Sequence, residues 1–283
     1  MSPEKPPLSA LERESQQLIL VGGKGGVGKS TVAVNVASAL KETGAKVGIM
    51  DADIYGPSIP PMLGIETQPV IQDGKMVPPE AFGMPVMSIG FLVKSDDALI
   101  WRGPILHQVL GQFVRDVVWK ELDYLIVDLP PGTGDVQISL AQLVHASGVL
   151  LVTTPQDIAF RDVRRAAVMF GKVDIPIIGL VENMGAFKCP HCGTETVIFP
   201  RSDDSSTREI THGIFVDTLG RIPIEPEIAQ SSEKGVPIVV SHPESETAKT
   251  FRELAGRIAQ QLSILAECKP RESAVPAGST DQD

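Results

Sequence analysis

Four apolar residues, Leu18-Ile19-Leu20-Val21, run directly into Gly22-Gly23-Lys24-Gly25-Gly26-Val27-Gly28-Lys29-Ser30-Thr31, and no other stretch restricts the fold as tightly. An apolar run that ends in glycines predicts a strand, then a turn tight enough for successive backbone N–H groups to converge. Residues 31–42 then read as a helix, with Val32, Val36, Ala39 and Leu40 on one face and Gly44 as its C-terminal stop. Within this order lies the phosphate-loop pattern Gly23-x4-Gly28-Lys29-Ser30. There the glycines let amides cradle phosphates at a helix N-terminus, Lys29 reaches the outer phosphates, and the Ser30 hydroxyl can ligate Mg²⁺. The expected ligand is ATP, held by Gly23, Lys24, Gly25, Gly26, Val27, Gly28, Lys29, Ser30 and Thr31.

Short strand candidates recur at Leu18–Val21, Val47–Met50, Val86–Ile89, Leu125–Val127, Leu150–Thr153 and Ile177–Val181. Helix-period segments lie between several of them, at Thr31–Glu42, Pro104–Trp119, Val136–Ala146 and Ile158–Phe170. This alternation predicts an α/β fold of the P-loop type: a doubly wound, mostly parallel sheet in a three-layer α/β/α sandwich, with ligand loops at the strand C-termini. Thr247–Leu265 adds an amphipathic helix. The expected organisation is a flexible segment over 1–17, one folded domain over 18–268, and a disordered tail over 269–283, rich in Pro, Ser, Gly and Asp.

The net charge of −10 argues against a role in coating DNA, because binding the phosphate backbone needs a basic face. No apolar run approaches a membrane span, and the first seventeen residues show neither a signal-peptide core nor transit-peptide character. Three cysteines are too few for a disulfide framework. The expectation is a cytoplasmic protein that binds neither nucleic acid nor membrane.

Acidic residues close two of the strand candidates. Asp51 and Asp53, two residues apart at a strand end, share a face, where carboxylates can hold a metal's waters or orient an attacking water. The run Tyr124-Leu125-Ile126-Val127-Asp128 ends in the acid that P-loop enzymes place behind Mg²⁺, so Ser30 and Asp128 are the expected Mg²⁺ residues. Leu129-Pro130-Pro131-Gly132-Thr133-Gly134-Asp135 follows as a loop suited to sensing a terminal phosphate.

Cys189-Pro190-His191-Cys192-Gly193 adds a different chemistry. Two thiols two residues apart in a tight turn form half of a tetrathiolate site, for zinc or for an iron–sulfur cluster. The strand-like run Thr194–Phe199 after them favours a knuckle on a hairpin over the helix-opening thiols of redox enzymes. With no second Cys-x-x-Cys in the chain, four thiolates require two copies across a symmetric dimer. Cys268 stands alone near the tail, and His191 between the two thiols reads as an exposed turn residue.

The Lys24-Gly25-Gly26-Val27-Gly28-Lys29-Ser30 loop resembles that of the MinD-like branch of P-loop NTPases. That resemblance implies that Lys24 reaches across a dimer interface to the partner's nucleotide, that Asp53 positions the hydrolytic water, and that Asp51 supports it. It also points to Asn183, after the sixth strand, as a base-contacting amide, although a turn role fits it nearly as well. Taken together, Lys24–Thr31, Asp51–Ser58, Trp101-Arg102-Gly103-Pro104, Leu125–Gln137 and Glu182-Asn183-Met184 leading to Cys189 and Cys192 are similar to the Mrp/ApbC family of iron–sulfur cluster carrier ATPases, over residues 18 to 265. The resemblance implies a homodimer that holds a [4Fe–4S] cluster between the two cysteine pairs, delivers it to apo iron–sulfur proteins, and couples delivery to slow ATP hydrolysis. Many bacterial members carry an additional N-terminal domain, and one eukaryotic branch a four-cysteine extension; only about seventeen residues precede the first strand here. Two other readings stay open at this level: a spatial-organiser ATPase of the MinD/ParA type, and an NTPase with a structural zinc knuckle.

Overall fold

The computed structural model describes residues 16–92, 103–132, 135–143, 145–189, 191–199, 207–211 and 214–268. Its strands are β1 (Gln17–Gly23), β2 (Val47–Asp51), β3 (Val70–Gln72), β4 (Lys75–Val77), β5 (Glu80–Ala81), β6 (Met84–Ser88), β7 (Tyr124–Asp128), β8 (Gly148–Thr153), β9 (Ile177–Lys188), β10 (Glu195–Thr196), β11 (Thr207–Thr211) and β12 (Ile214–Ile224). Its helices are α1 (Lys29–Glu42), α2 (Ile59–Met62), α3 (Gly103–Asp116), α4 (Asp135–Leu143), α5 (Asp157–Gly171), α6 (Pro226–Glu233), α7 (Ile238–Ser241) and α8 (Glu246–Cys268).

The central strands β12, β9, β8, β1, β7, β2 and β6 lie side by side in that order and all run parallel. β11 and β5 pair antiparallel at the two ends, and β10 pairs antiparallel with β9. β1 sits in the middle, so its C-terminal loop opens where neighbouring connections depart to opposite faces, the place where doubly wound sheets bind ligands.

Both faces of the sheet are covered, which is why its strands are continuously apolar instead of alternating. Leu18 and Leu20 pack on one side with Phe113, Trp119, Val163 and Phe170. Ile19 and Val21 pack on the other with Val36, Leu40, Phe251, Leu254 and Ile258. The fold is the predicted three-layer α/β sandwich.

Local details differ from the sequence expectation. The helix expected over Pro104–Trp119 ends at Asp116: Val117 turns away to bridge Met76, and Trp119 is buried with Nε1 donating to Phe113 O at 2.9 Å. The helix expected to Ala146 ends at Leu143. β9 continues to Lys188, well beyond Val181. The seventh parallel strand, β12, was not expected because Gly220 and Pro223 interrupt its pattern; the structure accommodates them at two register shifts against β9. The segments expected to be flexible or disordered, and the Trp101–Arg102 pair, lie outside the described residues apart from Gln16 and Gln17.

Candidate functional site

The glycine loop connects β1 to α1, as the sequence order requires. Gly26 and Gly28 lie at φ +79° and +86°, in the left-handed region that favours glycine. Gly23 is needed for a different reason: a Cβ there would stand 2.3 Å from Val152 O on the adjacent strand β8. Gly28 is also the N-cap of α1, and it offers no side chain to satisfy the first helical amides; no acidic residue stands in the first turn. The first N–H groups are thus left available for an anion, and the helix dipole adds its positive end. Lys29 is buried against the loop, with Nζ donating to Lys24 O at 3.3 Å.

Three acids gather behind this loop. Asp51 and Asp128 are register partners on β2 and β7, and both are fully buried. Ser30 Oγ donates to Asp128 Oδ2 at 2.5 Å, while Asp128 Oδ1 is buried with no hydrogen-bond partner among the described residues. Burial pushes the Asp128 carboxyl up to about 7, opposed by the Ser30 hydrogen bond and the Lys29 charge. A hydroxyl beside a carboxylate oxygen left without a donor is the oxygen set a hard divalent cation takes, so these residues fit Mg²⁺.

Asp51 is tied down more completely. Its Oδ2 accepts from Ser88 Oγ at 2.9 Å and Ile59 N at 3.3 Å, and its Oδ1 accepts from Asp53 N at 3.2 Å. Burial first, and then the neighbouring Asp128 charge, push it up to about 7. Asp51 therefore shapes the loop that carries Asp53. The Asp53 side chain is only half-buried; its Oδ1 accepts from Tyr55 N at 3.0 Å, and burial raises its carboxyl above the ordinary range.

Lys24 projects from the opposite rim. Its Nζ lies 3.6 Å from Asp162 Oδ2 on α5. Nearby, Gln137 is buried on α4, with Nε2 donating to Pro130 O at 2.5 Å, which pins the start of the loop after β7. Ser88, Gln137 and Asp162 have no role in the sequence expectation. Ser88 lies inside the strand expected over Val86–Ile89, and only the observed end of β6 makes it a polar strand terminus; Asp162 gave no signal within its amphipathic helix.

Asn183 is placed differently from the expectation. It lies within β9 instead of following it, and its buried Nδ2 donates to Val27 O at 2.8 Å. It supports the loop from beneath.

The two thiols sit at the far end of the same strand. Cys189 N donates to Thr194 O at 3.0 Å, Gly193 N donates to Cys189 O at 2.9 Å, and Gly193 closes the turn at φ +71°. β10 then pairs Thr196 with Phe187 and Glu195 with Lys188, completing a hairpin much shorter than the run to Phe199. Cys189 is half-buried and Cys192 exposed. The Thr194 hydroxyl lies 3.3 Å from Cys192 Sγ, and this hydrogen bond is the leading cause that lowers the Cys192 thiol below its ordinary value. Among the described residues no group of three His, Cys, Asp or Glu side chains gathers as a metal site, so one copy offers two thiols here. No helix among them is long and apolar enough to cross a membrane.

Comparison with known proteins draws these features together. A profile of the ParA family, described as NUBPL iron-transfer P-loop NTPase, matches residues 14–259. An iron–sulfur cluster carrier protein of Aquifex aeolicus is 48% identical over 249 residues, covering 87% of this chain and 68% of its own. The mouse iron–sulfur cluster transfer protein NUBPL is 40% identical over 270 residues, covering 94% of this chain and 84% of its own. Among solved structures, the nucleotide-binding protein of Archaeoglobus fulgidus in complex with ADP is 34% identical with a TM-score of 0.70, over 84% of this chain and 92% of that one. The septum site-determining protein MinD of Pyrococcus horikoshii, at 21% identity and a TM-score of 0.66 over 88% of this chain and 98% of that one, shares the fold. The chain belongs to the ParA family of P-loop NTPases, in its NUBPL-like iron-transfer branch of iron–sulfur cluster carriers.

Proposed function

We propose that this chain binds and slowly hydrolyses ATP as a homodimer, holds a [4Fe–4S] cluster between the Cys189 and Cys192 pairs of two copies, and delivers it to apo iron–sulfur proteins. The observation that carries the reading is the Cys189–Cys192 hairpin: two thiols in one tight turn, reachable from solvent, with no further ligand from the same copy among the described residues. A cluster bound by two copies at a solvent-facing turn is releasable, as a cargo must be.

In this reading the loop amides and Lys29 hold the phosphates, Ser30 and Asp128 hold Mg²⁺, and Asp53 orients the attacking water while Asp51 fixes the Asp53 loop. The cation, when bound, supplies positive charge to the terminal phosphates. Lys24 leaves Asp162 and adds positive charge at the partner's nucleotide, as an arginine finger does. Tyr55, 75% exposed after Asp53, and Ile158, 62% exposed at the start of α5, give the two rims apolar surface for a second copy.

The test is anaerobic reconstitution with iron and sulfide, followed by iron, sulfide and absorbance measurements per dimer for wild type and Cys189→Ala. About four irons per dimer, lost in the variant, support the carrier. Zinc alone, or iron indifferent to the substitution, sinks it and favours a structural knuckle.

A further inference from the structure

Strand β9 carries a side chain beneath the phosphate loop and ends at a thiol. Its pairing with β8 stops at Glu182, opposite Thr153, so residues 183–188 project beyond that neighbour. At ~3.3 Å per residue, the chain from Asn183 to Cys189 spans at most about 20 Å.

Both ends of this span are fixed. At the inner end Asn183 Nδ2 donates to Val27 O, and Gly28 approaches so closely that a Cβ on it would lie 2.3 Å from that nitrogen. At the outer end Phe187 and Lys188 pair with β10, and Cys189 is hydrogen-bonded to Thr194. Between them Met184 adopts φ +60°, a left-handed conformation that disfavours a non-glycine residue by about 1–2 kcal/mol. Its N–H donates to Asn183 Oδ1 at 3.0 Å. The strain falls within a register shift: β12 advances from Ile222 to Ile224 while β9 advances from Asn183 to Phe187. β9 therefore holds surplus backbone in a bulge next to the amide that grips the loop.

We infer that Asn183 is a positioning residue through which the phosphate loop sets the conformation of the Cys189–Cys192 hairpin, with the Met184 bulge as the pivot. When phosphates draw the loop amides inward, the Val27 peptide moves with them. The Asn183 amide is buried and follows its acceptor, because leaving a buried donor unpaired costs about 1–3 kcal/mol. Its own Oδ1 holds the Met184 N–H, so the pull arrives at the strained residue. A bulge with surplus backbone has a second arrangement within reach, and β9 delivers the change to the turn at Cys189. The inference rests on the proposed nucleotide binding but not on the identity of the cargo.

The experiment uses metal-free, reduced full-length chain and measures maleimide alkylation of Cys189 and Cys192 by mass spectrometry, with and without saturating Mg²⁺–ADP or a non-hydrolysable ATP analogue. Binding of each nucleotide is followed separately by calorimetry. In wild type, bound nucleotide is expected to change the alkylation rate by at least about fivefold, the lower range of ordinary coupling between sites. Met184→Gly, which removes the strain and leaves the loop intact, is expected to bind nucleotide and to lose most of that response. Asn183→Ala, compared at saturation, should lose it too. A wild type that binds nucleotide without a thiol response, or a Met184→Gly protein that keeps the full response, overturns the inference. A wild type that binds no nucleotide overturns the reading beneath it as well, and calorimetry distinguishes that failure.

Discussion

Lys24 Nζ lies 3.6 Å from Asp162 Oδ2, so the loop's additional lysine is held within its own copy by α5. The other carboxylate oxygen of Asp162 is met by Arg165 at 3.4 Å, which fixes the acid on its helix. The pair is partly exposed, and such pairs contribute only about 0.2–1 kcal/mol. A restraint this weak orders the lysine and yields readily to a phosphate. Asp162→Asn should therefore raise ATP turnover at low protein concentration, by no more than about fivefold, the equivalent of ~1 kcal/mol. Lys24→Ala should lower it by about 10² or more, as loss of a charge-stabilising donor does. Steady-state phosphate release checks both, and an Asp162→Asn protein slower than wild type would count against the restraint.

Asp51 and Asp128 give the chain a distinctive pH dependence. Both carboxyls are buried in register and pushed up to about 7, against an unfolded value near 3.8. Between these limits the folded chain retains protons that the unfolded chain has released, so their contribution to stability is full below pH ~4, falls as pH rises through 7, and is flat above. Urea titrations of the nucleotide-free protein should show wild type losing stability relative to Asp51→Asn between pH 5.5 and 8. Mg²⁺ held at the proposed Ser30–Asp128 site should reverse the preference, because a cation favours the ionised carboxylate. Its addition should raise the midpoint more at pH 8 than at pH 5.5. A wild-type to Asp51→Asn difference that stays constant with pH would contradict the burial argument.

Trp119 marks where the sequence pattern stopped describing the chain. The apolar spacing of residues 104–119 reads as one helix, yet the helix ends at Asp116 and Trp119 returns beneath it to give Nε1 to Phe113 O. Trp119→Phe retains most of the ring volume and leaves that carbonyl without its buried donor, a loss of about 1–3 kcal/mol. A lower urea midpoint with an unchanged slope is the expected result.

The parts of the fold legible in the sequence are those fixed by local rules. Leu18–Val21 had to be a strand buried on both faces, and Gly26 and Gly28 had to sit in a turn that only glycine adopts easily. The cysteine turn was readable from its spacing. What the sequence did not show arises from partners far apart along the chain. Ser88 matters because it meets Asp51 from the adjacent strand, 37 residues further along the chain, and Asp162 because α5 passes beside the loop. β12 was hidden because its pairing is supplied by β9, which tolerates the Gly220 and Pro223 interruptions. Asn183 was noticed as an amide at a strand end, but its contact with Val27, 156 residues earlier, is a product of the fold alone.

That contact gives a final prediction from non-additivity. Gly28 and Gly26 both sit at positive φ, but only Gly28 faces Asn183; nothing lies within 4 Å of a Cβ placed on Gly26. Gly26→Ala should lose about 1–2 kcal/mol from backbone strain alone. Gly28→Ala carries the same strain and also drives Asn183 off Val27 O. Asn183→Ala removes both the bond and the obstruction, so the Gly28→Ala/Asn183→Ala double variant should be more stable than the summed single losses imply, by about 0.5–3 kcal/mol. Gly26→Ala and Asn183→Ala share no contact and should add. Denaturant midpoints of the five variants decide the matter: if the Gly28 pair adds as simply as the Gly26 pair, the amide does not hold the loop in the way this geometry requires.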